Sequence, residues 1–174
     1  MGDKLEQVFD KDTSFRTLET VNSWIVAADN KSSILIAFVG LIVGLTANTY
    51  GQITNLLVNG TNTQIAFIII FGLMYLSVLI FVIYHLISVF VARIKNQDIF
   101  PDNLVSFVSI SNMTAEEYIK KTKHIEDKKM CEMILSQVNI NSKIARNKMK
   151  HFNHALKFGI FLIPLTIILM IIFG

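Results

Sequence analysis

Between Lys31 and Arg93 the chain carries no Asp, Glu, Lys or Arg, an uncharged run of about 61 residues. As one helix at ~1.5 Å per residue it would reach roughly 90 Å, about three times the thickness of a bilayer's hydrocarbon core at ~30 Å. The run must cross, turn and cross back. The turn is visible in "YGQITNLLVNGTNT", which gathers glycines, asparagines and threonines and holds the turn signal Asn59-Gly60. This predicts a first transmembrane span at 32–49, an external loop at 50–63 and a second span at 64–92, which has length to spare for tilting.

A third uncharged run, "FGIFLIPLTIILMIIFG", covers 158–174 and sits at the lower length limit for a helical crossing. Pro164 removes one backbone donor inside it and predicts a bend, which a membrane helix tolerates. With 52% apolar and 17% charged residues in 174, too little polar surface remains to wrap three such segments in water. The opening "MGDKLEQVFDKDTSFR" is mixed in charge and has no apolar centre, so it does not read as a signal peptide. Glu6 stands where a myristoylation pattern needs Ser or Thr.

Four Lys/Arg precede the first span, twelve lie between Arg93 and Lys157, and the 50–63 loop has none. The positive-inside rule therefore places segments 1–31 and 93–157 in the cytoplasm, the N-terminus inside and the C-terminus outside. The expected fold class is an all-α membrane protein, three transmembrane helices with a mainly helical cytoplasmic module. Cys131, the sole cysteine, falls in that module and reads as an inert small side chain.

Segment 1–31 reads as helix: Phe15, Leu18, Val21, Ile25 and Ala28 recur every three or four residues and predict one apolar face. In "DIFPDNLVSFVSISN", Pro101 and the loose alternation of Val105, Phe107, Val108 and Ile110 with serines suit an extended segment better than a helix. Thr114 with Glu117 is a capping-box pattern, so a helix should begin there. Ile134, Val138, Asn141, Ala145, Met149, Phe152 and Leu156 keep helical spacing without Gly or Pro before Gly159, which predicts one long helix running into the third span.

Catalytic signatures are missing. The chain has no phosphate-cradling glycine loop, no HExxH, no paired cysteines and no G-x-S-x-G, so no enzymatic activity and no cofactor are expected. His151 and His154 are three apart but have no carboxylate within a turn; they read as solvent- or headgroup-facing, and no metal is expected. His85, inside the second span, reads as structural although an ionisable group at that depth is in general a functional hint.

Basic residues gather in "NINSKIARNKMKHFNHALK": Lys143, Arg146, Lys148, Lys150 and Lys157, interleaved with Asn139, Asn141, Ser142 and Asn147. Attraction to anionic lipid, worth about 1 kcal/mol per basic residue near the surface, explains charge. It does not explain the amides and the serine. A phosphate ester carrying a base and a sugar needs charge together with donors and acceptors of fixed geometry. In "NSWIVAADNKSSILIAF", Trp24 and Lys31 read as interfacial anchors. Asp29 does not, because anionic lipid repels it and Lys31, two positions on, faces away along a helix. It needs a partner, and the basic residues of the long helix are the candidates, in the same chain or a neighbouring one.

Taken in order, "NSWIVAADNKSSILIAFVGLIVG", "VSFVSIS", "TAEEYI" and "QVNINSKIARNKMKHFNHALKFGIF" resemble the transmembrane effectors of the Pycsar antiphage systems across nearly the whole chain. In that family a Trp-containing segment ending in Ala-Asp-x-Lys enters the first span, and a Gln…Asn-Ser-Lys-Ile-Ala…Lys helix leads into the last. Relatives often carry an aromatic and a glycine where this chain has Phe107, Val108 and Ser109. The resemblance implies an inner-membrane effector, encoded beside a pyrimidine cyclase, that senses cyclic CMP or cyclic UMP and then damages the membrane. It carries Trp24, Asp29, Lys31, Gln137, Asn141, Ser142, Lys143 and Lys148 into the candidate ligand site, and Arg146 joins them from the basic cluster. The expected partners are a cyclic nucleotide, the bilayer and further copies of the chain, since three spans cannot line a pore alone; no nucleic acid polymer is expected. Gly40 and Gly44 in "VGLIVG" offer a close-packing helix face. The alternatives are a constitutive membrane scaffold or subunit without a small ligand, and an effector that responds to a cyclic oligonucleotide.

Overall fold

The structure, a computed structural model, describes residues 10–91 and 102–173. The front residues that carry Lys4 and Glu6, and the stretch with Arg93, Lys95 and Pro101, lie outside the described residues. Six helices make up the rest: α1 (Lys11–Ala47), α2 (Tyr50–Asn59), α3 (Asn62–Phe90), α4 (Phe107–Ser111), α5 (Ala115–Lys123) and α6 (Asp127–Phe173). No strand occurs among the described residues.

The chain divides into two compact units, one of residues 1–27 with 93–147 and one of residues 28–92 with 148–174. Helices α1 and α6 contribute residues to both.

In the second unit the core is built from α1, α3 and α6. Leu35, Val39 and Ile42 come from α1; Ile68, Tyr75, Val82 and Leu86 from α3; and Ala155, Leu162 and Leu169 from α6. The spacing is instructive. Leu35 and Ile42, then Ile68, Tyr75 and Val82, then Ala155, Leu162 and Leu169 each recur at seven residues, the repeat that keeps one seam facing a partner helix in left-handed packing. Helix α6 runs parallel to α1, since Lys148 meets Asp29 and a Cβ added at Gly159 would meet Leu35 at 3.8 Å. It runs antiparallel to α3, because His151 meets His85 and Phe158 meets Phe81.

The outward faces of these helices are apolar, with Ile34, Leu41, Ile70, Leu73 and Ile171 all more than 60% exposed. In water such a surface would be an aggregation liability; in hydrocarbon it is matched. Three helices, in α1, α3 and α6, are long and apolar enough to cross a membrane. The predicted all-α membrane class with three transmembrane helices is therefore what the structure shows.

Two predicted segments differ. The 50–63 loop contains the ten-residue α2, which ends at Gly60, where a Cβ would collide with the Leu56 carbonyl; Thr61 and Gln64 then cap α3 reciprocally. The expected extended segment around Phe107 is instead the short helix α4. Local alternation lost to a side-chain turn: Asn103 accepts from the Val105 N–H at 3.0 Å and donates to the Met133 carbonyl at 3.3 Å, so Asn103 is fully buried. That turn delivers Ser106, whose carbonyl accepts the first helical bond from Ile110.

The first unit otherwise follows its sequence. Thr114 and Glu117 form the expected capping box, with bonds of 3.0 and 3.2 Å, and α6 runs unbroken through Pro164. On α1, Leu18, Val21 and Ala28 are buried as expected, but Phe15 is exposed and Ser14 takes the inward position. Ser14 can do so because its hydroxyl donates to the Asp10 carbonyl at 2.9 Å and lies 3.0 Å from the Cys131 sulfur. A hydroxyl with those partners is cheap to bury.

Candidate functional site

In the first unit α1 and α6 again run parallel, pinned by Lys11 with Asp127 at 3.2 Å, by Ser14 with Cys131, and by a run of amides. Gln137 donates to Asn141 at 2.8 Å, one turn along α6, and Asn141 donates to Asn22 of α1 at 2.7 Å. The run is graded in exposure: Gln137 is buried, Asn141 half-buried and Asn22 exposed. At its inner end the Gln137 Oε1 and the adjacent Ser136 hydroxyl are buried without a hydrogen-bond partner among the described residues. A buried polar atom left so costs about 1–3 kcal/mol. The amide run therefore carries spare acceptor capacity at its buried end.

The basic residues do not converge on it within one chain. At about 100° per residue, Arg146 and Lys143 are turned by roughly 140–200° around α6 from Asn141, while Gln137 stays within about 40° of it. Lys143 and Arg146 are exposed and form no ion pair among the described residues. Ser142, half-buried, stands between the two stripes. Trp24 is 53% exposed on α1, as an anchoring or stacking ring would be.

Asp29, Lys31 and Lys148 belong to the second unit. Asp29 has the partner its position demands: its carboxylate accepts from the Lys148 ammonium at 2.6 Å, with only 12% of the lysine side chain and 34% of the aspartate side chain exposed. Both charges are thereby neutralised, so the pair acts as a clamp between α1 and α6 and not as a vacant anion site. Lys31, two positions on from Asp29, is exposed.

Asn22 and Ser136 were not among the sequence candidates. A signal for Asn22 existed: Asn22 precedes Asp29 by one heptad as Asn141 precedes Lys148, and both pairs have a sequence separation of 119. The histidines were misread. His151 and His154 are half-buried rings packed on His85, not solvent-facing side chains.

At the start of α1, Asp10 accepts from the Thr13 N–H at 2.7 Å. Bonding to Thr13, through its side chain first and then its backbone, holds the Asp10 carboxyl below the ordinary aspartate value.

A chain whose described residues form helices and no strand, three of them long and apolar enough to cross a bilayer, is a multi-pass membrane protein. It belongs to the Pycsar effector family, whose model, described as "Pycsar effector protein domain", matches residues 13–174. It is thus an antiphage defence effector of the transmembrane kind. The chain is also similar to the Pycsar effector protein GmPycTM of Gulbenkiania mobilis, at 27% identity over 190 residues that cover 98% of this chain and 95% of that one. No solved structure matches it.

Proposed function

We propose that the protein is a non-enzymatic effector of the bacterial inner membrane that binds a cyclic pyrimidine mononucleotide, cyclic CMP or cyclic UMP, on its cytoplasmic unit and then breaches the membrane. The N-terminus lies inside and the C-terminus outside. The observation that carries this reading is the amide run ending in the unsatisfied Gln137 carbonyl, set on the same helices that enter the lipid. Amides supply the paired donors and acceptors that a pyrimidine edge requires. The uncommitted charges of Lys143 and Arg146 suit the single negative charge of a cyclic phosphate.

Because these two sets of groups face different ways around α6, one ligand is best held between copies, with the amides of one chain and the bases of the next. That makes occupancy and self-association the same event. A single ligand must favour one state by about 5.5 kcal/mol to move a 1:99 population to 99:1, and several shared sites in one oligomer reach that figure more readily than one. Gly40 and Gly44 face outward with open space around them, leaving a close-packing surface for a second copy.

The test is a titration of the full chain in lipid nanodiscs with cyclic UMP, cyclic CMP, cyclic AMP and a cyclic dinucleotide, paired with membrane-potential dye in cells given the same nucleotides. Binding of a cyclic pyrimidine mononucleotide with depolarisation is expected. Arg146→Glu should remove both while membrane insertion is retained. Tightest binding of the dinucleotide would replace the ligand assignment, and silence to all four would leave a scaffold.

A further inference from the structure

Three histidines that lie far apart in the sequence meet inside the second unit. His85 of α3 and His151 of α6 bring their Nδ1 atoms to 2.8 Å, and the ring of His154 stacks on His85 at a centroid distance of 5.1 Å and an interplanar angle of 25°. Phe81 packs edge-on against His85 at 4.4 Å, and Phe158 covers Phe81 at 4.3 Å. Among the described residues no group of three such side chains has the arrangement of a metal site. The two nitrogens are in direct hydrogen-bonding contact, which leaves no room for an ion between them.

We propose that His85, His151 and His154 form a proton-operated latch that holds α3 on α6 and releases it when acid reaches the cluster. The argument is one of proton count. In the neutral state one Nδ1–H donates and the other Nδ1 accepts, and a first added proton can settle on a remote ring nitrogen or on His154. With both Nδ1 atoms protonated, two N–H groups and two like charges face each other at hydrogen-bond distance, and the contact fails. Once the helices part, His85 and His151 no longer set one N–H against the other, so both rings can carry a proton at the same time. The parted helices therefore bind more protons than the latched ones, and falling pH favours parting.

The neighbouring charges do not cancel this effect. Helix α3 contributes no charged residue, and its nearby titratable group is Tyr84, whose ring lies 5.2 Å from His85. Helix α6 adds within a turn Lys150 and Lys157, together with Lys148, whose charge is already paired. From α1 come Lys31, a further cation, and Asp29, whose carboxylate is already committed to Lys148. Among the described residues, Lys31, Lys150 and Lys157 thus remain on these helices as cations in no ion pair, which sharpens the response of the latch to a second proton.

The test uses the full chain in detergent micelles. Its melting temperature should fall between pH 7.5 and pH 5.5 by roughly 4 °C per pH unit for each extra proton taken up on parting. The double variant His85→Gln with His151→Gln should lose most of that slope. An undiminished slope in the double variant, or none in the parent, overturns the proposal. Independently of any variant, nitrogen-15 imidazole spectra of the parent should show coupling across the His85–His151 hydrogen bond at pH 7.5 and none at pH 5.5. Coupling that persists unchanged at pH 5.5, or is missing at pH 7.5, also overturns it.

Discussion

The α1–α6 seam has two chemistries. From Ala28 onward α1 buries Leu35, Val39 and Ile42 against Ala155, Leu162 and Leu169, with the single clamp of Asp29 on Lys148. Before Ala28 it buries Leu18 and Val21 but joins α6 through side-chain bonds, Ser14 to Cys131 and Asn22 to Asn141. In the apolar stretch, lipid tails solvate Leu and Ile as well as a neighbouring helix does, so shape and rare polar contacts decide which helices pair. In the polar stretch, water-driven burial holds the helices together, and under the proposed function the amides exchange their mutual bonds for a ligand. The difference teaches where regulation belongs: a contact of modest net worth, about 0.5–1.5 kcal/mol per hydrogen bond, is easily traded, whereas a half-buried ion pair is not.

The comparison breaks most sharply at Asp29. Asp29→Ala leaves the Lys148 ammonium largely buried and unpaired, and thermal unfolding in detergent should show a loss of about 3 kcal/mol, near the low end for a broken buried pair. The double variant Asp29→Ala with Lys148→Met should recover most of it. A loss under about 0.5 kcal/mol in the single variant would make the clamp an ordinary surface bridge.

In the other stretch the expected sign reverses. Gln137→Leu removes the orphaned carbonyl for an apolar side chain of similar size, so chemical stability should stay level or rise by about 1 kcal/mol while nucleotide binding is lost. A clear destabilisation would show that the amide run is structural and not exchangeable.

Smaller still is Thr114→Ala, which removes the cap of α5 and should cost about 1 kcal/mol, read as a lowered unfolding midpoint with nucleotide binding intact. The least effect concerns acid. The Asp10 carboxyl titrates lower when it caps α1 than when free, so its support for the first turn is present above the ordinary value of 3.8 and is lost as pH falls through the depressed one. Hydrogen exchange at Thr13 should rise only in that strongly acidic window, well below the imidazole range in which the histidine latch responds.

How much was legible follows the range of each interaction. The capping box at Thr114 is a four-residue event and was readable in full. So was the long α6, because nothing between Ile134 and Gly159 interrupts its spacing. The need of Asp29 for a cationic partner was readable from its place beside lipid, yet Lys148 was one candidate among several until the register of α1 on α6 was known. Helix α4 was not readable, since its cause is Asn103 reaching across to Met133, thirty residues away. Nor was the exchange of Ser14 for Phe15 on the buried face, which depends on where Cys131 stands.

The sequence by itself determined that this chain must be helical and must pass through lipid several times, because an uncharged run of that length leaves its backbone no other way to satisfy its hydrogen bonds in hydrocarbon. Only the tertiary structure decided which polar groups meet. The pairing of Asn22 with Asn141, of Asp29 with Lys148 and of His85 with His151 spans 66 to 119 residues. Helical periodicity states which way a side chain points, but the axial offset between two packed helices is set by how their side chains interlock along the whole seam, a property that no local window contains.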